Sequence, residues 1–177
     1  MSTVREQLTL FLPSPHAETV ESVRRVVDPV QHRLIPAHVT LCREDELAGL
    51  DAGPLRARLA EAAPLTLGFG PAERFDGHGI LLPCVAGADE YHRLRVHVLG
   101  RADARRAAAH ITLAHPRNPN APGNTLAAAD PVGAGLIITF PEAHLIRQED
   151  GGPWAVLTTL PLAPGRARTP DGRGTGV

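Results

Sequence analysis

Lysine is missing from this chain: all 18 Lys/Arg positions are arginine. Its absence removes a Schiff-base lysine, a lysine nucleophile and a Walker-type phosphate lysine. Together with abundant Ala, Gly and Pro, it reads as a base-composition bias of the source genome. Aromatic residues are only 3% of the chain, so the 43% apolar fraction must build its core from Leu, Val, Ile and Ala. The two cysteines, Cys42 and Cys84, make neither a disulfide framework nor a metal-ligand spacing, and a reducing cytosol is the expected setting. No apolar run approaches the roughly 18 residues of a membrane span. The first dozen residues have no signal-peptide pattern, so no membrane association is expected. An excess of one charge is also lacking, at net −1 and a pI of about 6.8. That balance argues against a protein that coats nucleic acid electrostatically, and leaves room for a small nucleotide or one RNA end in a pocket.

The patterned part of the chain alternates strands and helices. Leu8, Leu10 and Leu12 alternate with Thr9 and Phe11 as a half-buried strand. Ser14-Pro15 predicts a helix start with Ser14 as N-cap, Val20, Val23 and Val27 as its apolar face, and Pro29 as its stop. A strand over Leu34 to Cys42 follows, then a helix from Gly53-Pro54 to Pro64 with Leu55, Leu59 and Ala62 on one face. Leu65 to Phe69 reads as a strand, and Glu73 to Val85 as two strands broken at Asp76-Gly77. Asp89 is placed to cap a helix carrying Tyr91, Leu94 and Val98. Ala109 to His115 is a strand, and the Pro/Asn/Gly-rich 116–131 connection has room for one short helix near Leu126 to Ala129. Leu136 to Phe140, Ala143 to Gln148 and Trp154 to Leu160 complete the strands, the last two joined at Glu149 to Gly152. Residues 163–177 lack periodicity and read as a disordered tail.

Laid over itself, the chain repeats. Leu8-Thr9-Leu10 precedes a helix and then His38-Val39-Thr40-Leu41, while Ile80-Leu81-Leu82 precedes a helix and then His110-Ile111-Thr112-Leu113. Leu8 to His38 and Ile80 to His110 each span 30 positions, and the two histidines lie 72 apart. LTLGFGPAE from Leu65 and LIITFPEA from Leu136 match at nearly the same offset. The expected architecture is therefore α+β: one bilobal domain over residues 1–162, built from two duplicated, interleaved lobes. Two antiparallel sheets would face each other across a cleft, with helices outside.

Residues i and i+2 of a strand share a face. His38 and Thr40 therefore point one way, and Val39 and Leu41 the other; His110, Thr112, Ile111 and Leu113 repeat this. A strand face carrying His and Thr in place of aliphatics is poor core material. With the lobes apposed, two His and two Thr converge. A neutral imidazole can take a proton from water while a protonated one supplies the leaving oxygen. The threonine hydroxyls can donate to non-bridging phosphate oxygens as charge builds. Nothing in that chemistry calls for a metal or cofactor.

On these motifs, HVTL at 38–41 and HITL at 110–113, the chain resembles the two-histidine (2H) phosphoesterase superfamily, which includes the bacterial 2′-5′ RNA ligase (LigT-like) proteins and cyclic phosphodiesterases. The resemblance covers about residues 5 to 162. It implies His38 and His110 as catalytic histidines and Thr40 and Thr112 as phosphate-binding hydroxyls. The implied activity is hydrolysis of 2′,3′-cyclic phosphates, related cyclic nucleotides or 2′-5′ linkages, with RNA ligation in reverse in some members. The expected partner is a small nucleotide or RNA end carrying a cyclic phosphate, bound by a monomer. A nucleotide- or RNA-end-binding module without turnover, using the same groove, is the second reading. A phosphoesterase outside nucleic-acid metabolism is the third.

Further candidates surround the motifs. Arg43 and His115 each follow their histidine by five positions, where alternation turns them away from the cleft unless a bulge turns them back. Arg117 is a loop arginine that reads equally as solvated. Phe11 and Thr9 lie opposite the leucine stripe, with Phe11 placed to stack a base or to be buried. Cys42 shares the His38 face by parity, Tyr91 reads as core, and His16, His32, His78, His92, His97 and His144 read as surface.

Overall fold

The computed structural model of the chain describes residues 3–118, 125–133 and 135–163. From residue 164 onward the tail expected to be disordered lies outside the described residues, as do 119–124 of the long connection. The elements are β1 (Val4–Phe11), α1 (His16–Val27), α2 (Pro29–Leu34), β2 (His38–Cys42), α3 (Glu44–Leu47), α4 (Ala52–Glu61), β3 (Leu65–Phe69), β4 (Glu73–Phe75), β5 (Gly79–Ala86), α5 (Ala88–Leu99), β6 (His110–Ala114), a 3-10 turn (Leu126–Val132), β7 (Leu136–Phe140), β8 (Glu142–Glu149) and β9 (Ala155–Pro161). The fold is α+β with two antiparallel sheets, as the patterning predicted. No helix among the described residues is long and apolar enough to cross a membrane.

One sheet runs β2-β1-β8-β9. The other centres on β5, which pairs with β6 along one edge and with β4 and then β3 along the other, β7 lying outside β3. The two motif strands are thus the edge strands β2 and β6, and they come into contact with each other. Val39, Leu41, Ile111 and Leu113 are fully buried in a core they share with Leu8, Leu10, Ile80 and Leu82. The buried faces of the two long helices correspond as well: Val20, Val23, Arg24 and Val27 in α1, and Tyr91, Leu94, Arg95 and Val98 in α5.

Several sequence expectations are corrected. β3 and β7 are not the third strands of separate lobes; they are neighbours in one sheet, Leu65 opposite Phe140 and Leu67 opposite Ile138, with the Thr66 and Thr139 hydroxyls 2.8 Å apart. Their sequences match because both present alternate large apolar residues to the same core, while β8 takes the corresponding place in the first sheet. Ser14 does not cap α1. The helix starts at His16 after a cis Ser14-Pro15 peptide, and its first free amides go to the carbonyls of Pro13 and Pro15. Pro29 ends α1 only by opening α2, whose N-cap Asp28 accepts from the Gln31 amide at 3.1 Å. Gly87, not Asp89, precedes α5: its φ is +85°, and a Cβ there would come within 2.5 Å of the Thr66 carbonyl.

Truncating Ile111, fully buried under β6, to alanine is expected to cost about 2–5 kcal/mol. Urea unfolding should show a lower midpoint with an unchanged slope.

Candidate active site

Each motif strand carries the same irregularity. In the first sheet Phe11 pairs with His38 and Thr9 with Thr40, but Leu8 pairs with Cys42, so Leu41 is an extra residue. In the second, Pro83 pairs with His110 and Leu81 with Thr112, but Ile80 pairs with Ala114. These slips sit at equivalent places, just after the His-x-Thr pair. They let His and Thr occupy the non-core face and then return two consecutive residues to the core: Leu41 with Cys42, and Leu113 with Ala114, are fully buried. Cys42, expected near the cleft by parity, is therefore core, and burial pushes its thiol up to about 12.

His38, Thr40, His110 and Thr112 are all half-buried. Each histidine turns Nδ1 to the carbonyl two positions before it: His38 to Pro36 at 2.8 Å, His110 to Ala108 at 2.9 Å. A carbonyl only accepts, so each Nδ1 carries the proton and each Nε2 is left as the reactive nitrogen. The loop before His38 is pinned from α1. Arg24 donates to the Ile35 carbonyl at 2.9 Å and to Glu21, and Glu21 accepts in addition from the Ala37 amide and His32 Nδ1. Burial pushes His38 down to about 4; the bond to the Pro36 carbonyl opposes this, and the charges of Arg24 and His110 push the same way as burial. His38 is thus neutral at neutral pH, within electrostatic reach of His110.

An aromatic ring stands beside each histidine. Phe11 is half-buried and meets His38 edge-on at 6.4 Å; its other side lies 4.8 Å from the His144 ring. Phe75, on β4, lies 5.8 Å from His110. Phe75 needs Gly79 opposite it, because a Cβ there would fall 2.5 Å from the ring. Sequence reasoning missed Phe75 and His144. His144 pairs with Thr9 across β1 and β8 and is nearly buried, not surface; the alternation of β8, apolar on both faces, concealed it. His32 is likewise held by Glu21 and not free on the surface. Thr9 is fully buried, its hydroxyl taken by Gln7 at 3.2 Å.

The remaining candidates sit at the strand ends. Arg43 is exposed, its amide donates to Glu46 at 3.0 Å, and its guanidinium lies 3.6 Å from Asp45. The His115 amide donates to Asp28 at 2.9 Å, and its Nδ1 accepts from the Arg117 amide at 3.1 Å; burial and Arg117 lower its pKa. Neither contact brings Arg43 or His115 onto the motif histidines. No trio of His, Cys, Asp or Glu among the described residues is arranged to hold a metal. An open groove of about 540 Å³ lies elsewhere, between α4, β3 and α5, lined by Glu61, Glu90, Arg93 and His97 and by none of the motif residues.

Two edge strands, each presenting His and Thr beside one another, define an α+β chain of the kind the two motifs predicted. That architecture is also the fold of LigT. The chain aligns with Escherichia coli LigT complexed with NADP+ at TM-score 0.55 and 18% identity, covering 90% of this chain and 97% of LigT. The 3′-AMP complex aligns at 0.58 and 17% over 90% and 98%, and the phosphate complex at 0.54 and 17% over 90% and 97%. Neither a family model nor a curated protein matches the chain.

The His38 imidazole is expected to stay neutral until about pH 4. The unfolded chain takes up that proton at about 6.5, so protonation favours unfolding, and His38 draws stability down as pH falls from about 6.5 to about 4. Following the His38 Cε1 resonance by NMR checks this; a midpoint at 6.5 would contradict it.

Proposed function

We propose that this chain is a 2H-type phosphodiesterase that hydrolyses 2′,3′-cyclic phosphates, or related cyclic nucleotides and 2′-5′ linkages, without a metal. The observation that carries the reading is the matched pair of Nδ1–carbonyl bonds on two touching edge strands, which leaves an Nε2 and a hydroxyl on the same face of each. The nucleotide and phosphate complexes of LigT, a protein of the same fold, support a nucleotide phosphate as the ligand class.

His38, held neutral, takes a proton from water on Nε2 as the water oxygen bonds to phosphorus. The P–O bond to one ribose oxygen breaks, and that oxygen takes the proton carried by His110 Nε2. The products are a phosphomonoester and a free ribose hydroxyl. Proton passage from His38 back to His110 through solvent resets the site. Thr40 and Thr112 donate to the non-bridging oxygens, where charge accumulates. With a 5′-ribose hydroxyl in place of water as the nucleophile, the same groups open the cyclic phosphate at its 3′-oxygen, which takes the proton from His110, and leave a 2′-5′ linkage. Phe11 and Phe75 flank the two histidines as surfaces against which a base can lie. The site takes a small nucleotide or an RNA end, with the chain acting as a monomer.

Turnover of nucleoside 2′,3′-cyclic monophosphates with chelator present tests this. His38→Ala or His110→Ala should lower kcat by about 10²–10⁴-fold, and Thr40→Val or Thr112→Val by about 10²-fold, with folding retained. Full activity in both histidine variants would overturn the reading. The kcat/KM profile should be bell-shaped, its acid limb near pH 4 where neutral His38 is lost.

A further inference from the structure

The motif strand of the first sheet is held from outside by the helix of the second. Tyr91, on α5, is 2% exposed, and its hydroxyl donates to the Thr40 carbonyl at 2.6 Å. One turn on, Arg95 is 1% exposed and donates to the carbonyl of Leu41, the extra residue of the register slip, to both Glu46 carboxylate oxygens, and to the Arg105 carbonyl at 3.1 Å. Glu46 in turn accepts from the Arg43 amide at 3.0 Å. Two successive carbonyls of HVTL are thus fixed by one face of a helix that packs under HITL's own sheet. Arg105, five positions before His110, is held by the same guanidinium. A phenylalanine would fill the Tyr91 ring volume equally well. The buried hydroxyl is therefore there for its bond, and that bond ends on the backbone of a phosphate-binding residue.

We propose that Tyr91 and Arg95 are positioning residues that set Thr40, and the His38 face with it, against the His110 lobe. This rests on the phosphodiesterase reading of that site. The non-bridging oxygens of the diester share one negative charge in the ground state and gain more as the water oxygen bonds to phosphorus, so displacing the Thr40 hydroxyl lowers kcat more than it raises KM.

The test compares wild type, Tyr91→Phe, Thr40→Val and the double variant on 2′,3′-cyclic AMP, together with thermal midpoints and NMR spectra. Tyr91→Phe should lose on the order of tenfold in kcat with KM within about twofold. In the Thr40→Val background it should lose less than about twofold more, because its effect passes through Thr40. Arg95→Lys, which keeps the charge without the fork, should reproduce the kcat loss in its folded fraction. Unchanged kcat with a lowered thermal midpoint, or a full tenfold loss on top of Thr40→Val, would overturn the assignment and leave Tyr91 a structural residue. The NMR arm needs no turnover: Tyr91→Phe should shift the Thr40 methyl and His38 ring resonances. If wild type cleaves none of the cyclic nucleotides while those resonances shift, the phosphodiesterase reading fails and the positioning role stands; if they stay in place, the positioning role fails.

Discussion

A guanidinium buried under a β-strand cannot stay unpaired, because the desolvation it suffers is far larger than any single contact returns. Among the described residues two are buried, Arg24 and Arg95, at corresponding places on α1 and α5. Both solve the problem with a carboxylate and with carbonyls of the segments leading into the motif strands: Arg24 with Glu21 and Ile35, Arg95 with Glu46, Arg105 and Leu41. Burial alone would raise the Glu46 carboxyl, but the bond from Arg95, the bond from the Arg43 amide and the charges of Arg95 and Arg105 together hold it below its usual range. The loops that aim the two histidines are therefore fixed by the least negotiable groups in the core.

Rigidity at those loops has a chemical consequence. Pro36 and Ala108 can hold the Nδ1 protons only if their carbonyls stay in place, and the Nε2 atoms are free for the same reason. Asp28 adds the reciprocal link: it closes α1, caps α2, and accepts from the His115 amide at 2.9 Å and the Asn118 side chain at 2.8 Å, beyond the end of β6. The α1–α2 junction thus holds the chain just after HITL, as α5 holds the strand along HVTL. The two sides are not electrostatically alike. Burial depresses His38, and Arg24 lies close enough to add to that effect.

What was legible in the sequence was the part written in strict alternation. Val39 and Leu41 inward with His38 and Thr40 outward, repeated 72 positions on, sufficed for the fold class and for the inward and outward faces of both motif strands. Legibility ended where alternation did. The slip after Thr40 sends Cys42 into the core against parity, and no residue there signals a bulge. LTLGF and LIITF look like counterparts because strands sharing a core have the same pattern as strands related by duplication. Phe75 and His144 reach the site through strands whose burial patterns hide the groove-facing residue. Arg24 and Arg95 were unreadable for a different cause: in an arginine-rich chain, nothing local separates a buried guanidinium from a solvated one.

The most direct measurement is a crystal structure with inorganic phosphate. The geometry predicts one anion between β2 and β6, with its oxygens within hydrogen-bond distance of Nε2 of His38 and His110 and of the hydroxyls of Thr40 and Thr112. Phosphate bound elsewhere, such as the groove lined by Arg93 and His97, with the two histidines too far apart to share an anion, would contradict it.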